Sequence, residues 1–137
     1  AFQTVSEHLA PGGVFIFDFW YGPAVLTDRP VVRIKRLEDD EVAVTRIAEP
    51  VMQPNANLVD VNYQMLIRDK RTNGFEELRE SHRMRYLFQP EIERLLDNVG
   101  LDLVAAEEYL TGRPLGFDTW SACMVAKTCN RGLEETK

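Results

Sequence analysis

The chain has 137 residues, 45% of them hydrophobic and 28% charged, enough for a single globular domain with a core of its own. No stretch reaches the roughly 18 to 20 uninterrupted apolar residues of a membrane span, and the start lacks the charged and apolar regions of a signal peptide, so a cytoplasmic protein without membrane contact is expected. The net charge of −6 argues against nucleic acid as the main ligand: ten basic residues balance ten acidic ones between Val31 and Arg85, the rest of the chain carries six and twelve, and no basic stripe results for gripping phosphates.

Phe2, Val5 and Leu9 share one helical face, and Pro11-Gly12-Gly13 ends that predicted helix. The chain opens at Ala1 already inside this pattern and without Met, which reads as the back part of a longer protein. Val14 to Phe19 is continuously apolar apart from Asp18. Such a run predicts a strand covered on both faces inside a parallel sheet, with Asp18, Trp20 and Tyr21 delivered to its carboxyl end. From Val31 the pattern changes to alternation with charge: Val32 and Ile34, an Asp39-Asp40 turn, then Val42 and Val44 predict a hairpin with one wet face. A loop is expected around Pro50, Pro54 and Asn55. Val59, Val61, Tyr63, Met65 and Ile67 then trace a long alternating strand, Asn73-Gly74 turns the chain, and the return strand runs from about Phe75 to Phe88.

That return strand places Leu78, Glu80, His82, Met84 and Tyr86 on one face and Arg79, Ser81, Arg83 and Arg85 on the other. Pro90 opens a helix striped by Ile92, Leu95, Leu96 and Val99 and closed by Gly100. Leu101 to Ala106 and Trp120 to Ala126 are predicted strands on either side of a loop with Gly112, Pro114 and Gly116, and Asn130 to Lys137 is expected to fray. Cys123 and Cys129 match no metal spacing or redox pair; a buried thiol is the ordinary expectation for Cys123, and no metal site is predicted.

Three stretches together resemble the C-terminal half of class I S-adenosylmethionine-dependent methyltransferases. "HLAPGGVFIFDFW" (His8 to Trp20) resembles the family's helix, "L-x-P-G-G" turn and fifth strand. "HRMRYLFQPEIERLLDNVGLDLV" (His82 to Val104) is similar to its "R-Y-F-x-P-x-E-h-x-x-L-L-x-x-a-G-F" stretch, and "WSACMVAKT" (Trp120 to Thr128) to its closing antiparallel strand. The resemblance implies an α/β fold: the C-terminal part of a Rossmann-like methyltransferase sheet, formed by residues 1–30 and 86–137, with an antiparallel sheet inserted at 31–85. Several small-molecule methyltransferases, nucleotide-sugar N-methyltransferases among them, carry such an insertion. It also implies S-adenosylmethionine as cofactor. The family's cofactor fingerprint, a Gly-rich turn after a strand and an acidic residue ending the next strand, is missing here, so the cofactor is expected to be bound mainly by an absent N-terminal part, and no residue of this chain is assigned to it.

Open α/β sheets bind ligands beyond the carboxyl ends of their strands, which makes Asp18, Trp20 and Tyr21 candidate acceptor-binding residues. The alternative is that Trp20 lies in the core under the inserted sheet and Asp18 caps a turn. Methyl transfer to a hydroxyl or protonated amine needs a base, and Glu80 and His82, two apart on one strand face, suit a base with its orienting partner; a solvated sheet face is the competing reading. Arg85, with Arg83, can grip an anionic acceptor by forked hydrogen bonds, or pair with nearby carboxylates. Tyr109, Arg113 and Trp120 surround the Gly- and Pro-containing loop, and His8 reads as a surface residue. The expected activity is N- or O-methylation of a small molecule, with a possible homodimer through the inserted sheet. The alternative is a non-catalytic α+β binding or dimerisation module.

Overall fold

Apolar spacing at the start of the chain becomes a helix, α1 (Phe2–His8), which ends where Leu9 turns to extended backbone, ahead of a glycine turn. Gly12 adopts φ +76°, and a Cβ on Gly13 would lie 2.7 Å from the Ala10 carbonyl oxygen, so neither position of this turn takes a side chain without strain. β1 (Val14–Tyr21) follows, then α2 (Gly22–Thr27), β2 (Arg33–Glu38), β3 (Val42–Gln53), a 3-10 turn (Pro54–Ala56), β4 (Leu58–Asp69), β5 (Phe75–Leu87), α3 (Gln89–Asp97), β6 (Leu101–Glu108) and β7 (Ser121–Thr128). This computed structural model describes residues 1–129, so the tail expected to fray at Asn130 to Lys137 lies outside the described residues. The chain divides into two compact units, one made of Ala1–Asp28 and the chain from Leu87 onward, the other of Arg29–Tyr86.

In the first unit β7 lies between β1 and β6 and is antiparallel to both, with Val14 opposite Lys127 and Leu101 opposite Thr128. Ile92 and Leu96 from α3, Leu101 from β6, and Met124 and Ala126 from β7 form a fully buried cluster, against which Phe2, Val5 and Leu9 of α1 pack together with Phe17 and Phe19. Phe15, Phe17 and Phe19 stack along one face of β1, with centroids 4.7 and 5.9 Å apart, and the Phe2 ring meets Phe17 edge-on at 5.3 Å. The stripe on α3 buries Ile92 and Leu96 and leaves Leu95 at its exposed margin.

Two expectations change here. β1 is not covered on both faces within a parallel sheet: it pairs antiparallel with β7, and Val14 and Ile16 are 46% and 65% exposed. An antiparallel strand can keep one face covered and one open, and here the open face is also apolar, so the sequence shows no alternation. Helix α2, which the sequence did not suggest, starts with Pro23 in its first turn and buries Ala24 and Val25. It is entered through Gly22, where any Cβ would overlap the Phe88 ring.

The second unit is an antiparallel meander, β2-β3-β4-β5. Its turns are held by aspartates. Asp39 Oδ1 accepts from the backbone N–H of Glu41 and Val42, both at 2.8 Å, and Asp69 Oδ1 accepts from Arg71 and Thr72 at 2.8 and 3.1 Å. These donors hold both carboxyls below their ordinary value. The turn expected at Asn73-Gly74 is thus a longer loop from Lys70 to Gly74, with Asn73 at φ 56°. Pro50, expected in a loop, lies inside β3 opposite Val61. Pairing of β2 with β3 ends at Ala48, so beyond it β3 has β4 on one side and no β2 on the other, the place in a sheet where a residue without an N–H is tolerated. Val59, Val61 and Tyr86 are buried, whereas β2 is exposed along its whole length.

Candidate functional site

Strand alternation carries Glu80 and His82 to the same face of β5, where Glu80 Oε2 lies 3.2 Å from His82 Nε2. Both side chains are a little over half exposed, at 57% and 55%. Register places Tyr63 of β4 directly opposite Glu80, and the buried Val61 opposite His82. The Tyr63 and His82 rings meet perpendicularly, with centroids 5.3 Å apart and planes at 86°. On β3 the guanidinium carbon of Arg46 lies 5.6 Å from the centre of the Tyr63 ring. Three adjacent strands therefore contribute Arg46, Tyr63 and the Glu80–His82 pair to one cluster. A depression of about 360 Å³ belongs mainly to the opposite face of the sheet, lined by Glu49, Asn62, Gln64, Arg79 and Ser81 beside Tyr63 and Glu80, and His82 is not among its lining residues. Tyr63 and Arg46 were not singled out from the sequence, since only the pairing register brings them to His82.

The other face of the same sheet is a ladder of paired polar groups. Arg83 donates to both Asp60 oxygens, at 2.8 and 3.1 Å, and Gln53 donates to the same carboxylate; the guanidinium beside it holds Asp60 below the usual carboxylate range. Ser81 donates to Asn62 at 2.8 Å. Arg83 thus takes the carboxylate-paired alternative. Arg85 is exposed, opposite Leu58 on the Arg83 face.

In the first unit Asp18 is exposed and stands opposite Cys123, which in turn faces Glu107 across β6. Partial burial first, and these two carboxylates second, push the Cys123 thiol up. Trp20 lies on the Asp18 face and meets Trp120 edge-on at 5.5 Å. Tyr21 is still in the strand and points to the opposite face, its N–H donating to the Trp120 carbonyl at 3.0 Å. The loop after β6 is stapled: Arg113 forks onto Glu108 at 2.7 and 2.9 Å, and the Thr111 hydroxyl donates to the same carboxylate at 2.7 Å. Tyr109 is largely exposed, and His8 binds the Thr4 carbonyl through Nδ1 at 2.8 Å on the surface of α1. Among the described residues neither cysteine is joined in a disulfide, and no group of three or more His, Cys, Asp or Glu side chains is placed to hold a metal ion. No helix among them is long and apolar enough to cross a membrane.

No protein-family model matches the chain. Among curated proteins, the dTDP-3-amino-3,4,6-trideoxy-alpha-D-glucopyranose N,N-dimethyltransferase of Streptomyces venezuelae is 28% identical over 116 residues, which are 85% of this chain and 46% of that protein. Among solved structures, an S-adenosylmethionine-dependent methyltransferase from Clostridium acetobutylicum ATCC 824 matches with a TM-score of 0.76 at 24% identity, over 94% of this chain and 50% of the other. The sugar N-methyltransferase KedS8 from Streptoalloteichus sp ATCC 53650 matches with a TM-score of 0.72 at 14% identity, over 94% and 47%. At these identities the solved structures establish likeness of fold. The chain spans about half the length of the relatives it matches.

Proposed function

The likeness to S-adenosylmethionine-dependent methyltransferases runs through sequence and fold alike, and from it we propose that this chain is the acceptor-side half of such an enzyme, acting in the cytoplasm on a small molecule with an amine as the first choice of target. The observation that carries the reading is the 28% identity, spread over 85% of the chain, to an enzyme that dimethylates the amine of a nucleotide-linked sugar. S-adenosylmethionine, when bound, supplies the methyl group. The glycines present here do not fit that cofactor: Gly12 and Gly13 precede a strand, and the space a Cβ would take at Gly13 is already filled by Leu9 and Ala10. We therefore assign the cofactor to residues other than those described.

What this chain contributes is a proton acceptor. With Nε2–H donated to Glu80 Oε2, His82 keeps a lone pair on Nδ1, which takes the proton that an acceptor amine or hydroxyl gives up. The carboxylate fixes the tautomer. The same reading assigns acceptor contacts to Asp18, Trp20, Tyr21 and Arg85, each tested singly by its effect on KM.

The test uses the protein from the complete reading frame with S-adenosylmethionine and dTDP-3-amino-3,4,6-trideoxy-alpha-D-glucopyranose, with mass spectrometry to read methyl gain. Calorimetric titration should give cofactor binding in roughly the micromolar range for that protein and none for residues 1–137 alone. His82→Ala should lower kcat with little change in cofactor affinity. No methylated product from this amine or a hydroxyl analogue refutes the enzyme reading, and unchanged turnover in His82→Ala refutes the base.

One observation favours a partner chain as well. β2 has exposed Ile34 and Leu37, preceded by exposed Val31 and Val32, and pairs with β3 on one side. We propose that a second copy pairs along this strand to form a homodimer; sedimentation of Ile34→Lys beside the parent chain tests it, and an identical mass for both at the parent's dimer concentration refutes it.

A further inference from the structure

An exposed His–Glu pair does not by itself hold an imidazole still. Glu80 and His82 are each more than half in water, where such pairs are weak and compete with the rotamer freedom of both side chains. A proton acceptor needs a fixed lone pair, so a second contact has to limit the ring. Tyr63 supplies it. Its ring stands perpendicular to His82 at 5.3 Å, the edge-to-face arrangement that aromatic pairs prefer, and its backbone is fixed opposite Glu80 in the β4–β5 ladder. The Tyr63 ring is itself restrained by the guanidinium of Arg46, 5.6 Å from its centre. Arg46 pairs with no carboxylate among the described residues, so the aromatic ring is its fixed neighbour.

We propose that Tyr63 is the positioning residue for His82, clamping the imidazole against Glu80, and that Arg46 steadies Tyr63 from β3. This rests on the reading of His82 as the base. The ring does the positioning, and the phenol hydroxyl is dispensable.

The test has two arms. In residues 1–137, nuclear Overhauser effects between the His82 and Tyr63 ring protons should be present in the parent and in Tyr63→Phe; their absence in the parent overturns the clamp. In the protein from the complete reading frame, with the sugar amine above, Tyr63→Leu should lower kcat about threefold to tenfold with KM nearly unchanged. Tyr63→Phe should keep parental turnover, and Arg46→Gln should cost about twofold to threefold. If His82→Ala lowers kcat while Tyr63→Leu does not, the base stands and the positioning role falls. If Tyr63→Phe is as impaired as Tyr63→Leu, the hydroxyl acts and the ring proposal is overturned. If His82→Ala leaves kcat unchanged, the base reading fails, and the positioning role goes with it even where the ring contact is observed.

Discussion

Ile16 and Ile92 carry the same side chain in the same unit, and truncating each to Ala separates an open strand face from a closed core. Ile92 is fully buried in the cluster with Leu96, Leu101 and Met124, whereas Ile16 is 65% exposed. The substitution removes three carbons, about 2.4 kcal/mol of transfer free energy at roughly 0.8 kcal/mol each for full burial. At Ile92 the void left behind adds to this, for a total of about 3 to 4 kcal/mol, reduced by a few tenths because Ala favours a helix. At Ile16 about a third of the transfer value applies, some 0.8 kcal/mol, and the lower strand preference of Ala raises it to about 1 to 1.5 kcal/mol. The chain's two tryptophans, Trp20 and Trp120, both lie in this unit, so their fluorescence during urea unfolding reports it directly. Midpoints should separate the two variants by about 2 kcal/mol at a common slope. Equal losses near 3 kcal/mol would mean that Ile16 is covered, and the one-sided description of β1 would be wrong.

Acid should loosen the loop after β6. Arg113 first, and the Thr111 hydroxyl second, lower the Glu108 carboxyl from 4.5 to about 2, so the unfolded chain binds its proton first as pH falls. The stabilisation is complete above about 4.5 and is lost as pH drops toward 2; Arg113→Met should flatten that part of a stability-against-pH curve, and a curve of unchanged shape would refute the coupling. Gly22→Ala should cost about 1 to 3 kcal/mol because its Cβ would overlap the Phe88 ring at the start of α2, read in the same urea assay. A neutral result would mean that Phe88 swings away freely.

Long periodic segments were legible in the sequence, and short or sheet-edge features were not. The alternation through β4 and β5 and the Pro90-to-Gly100 helix rest on many residues repeating one pattern, as does the Glu80–His82 pair, since positions two apart on a strand must share a face. Helix α2 is six residues long, less than two turns, too short to show a stripe. The face of β1 that carries Val14 and Ile16 is apolar yet has none of the described residues covering it, and hydropathy does not record what lies opposite. The Arg46–Tyr63–His82 cluster depends on how three strands slide against one another, which local sequence leaves undetermined until the turns are set.

Pro50 has an effect on what the meander can recruit. Beyond Ala48, where pairing with β2 stops, the last residues of β3 present an unfinished ladder, and Val51 there is 52% exposed, the kind of border along which stray strands zip up into aggregates. A proline in that border interrupts the row of amide donors an incoming peptide would need. The sheet can therefore stay narrow at this end without inviting growth, and replacing Pro50 by Val would reopen the template.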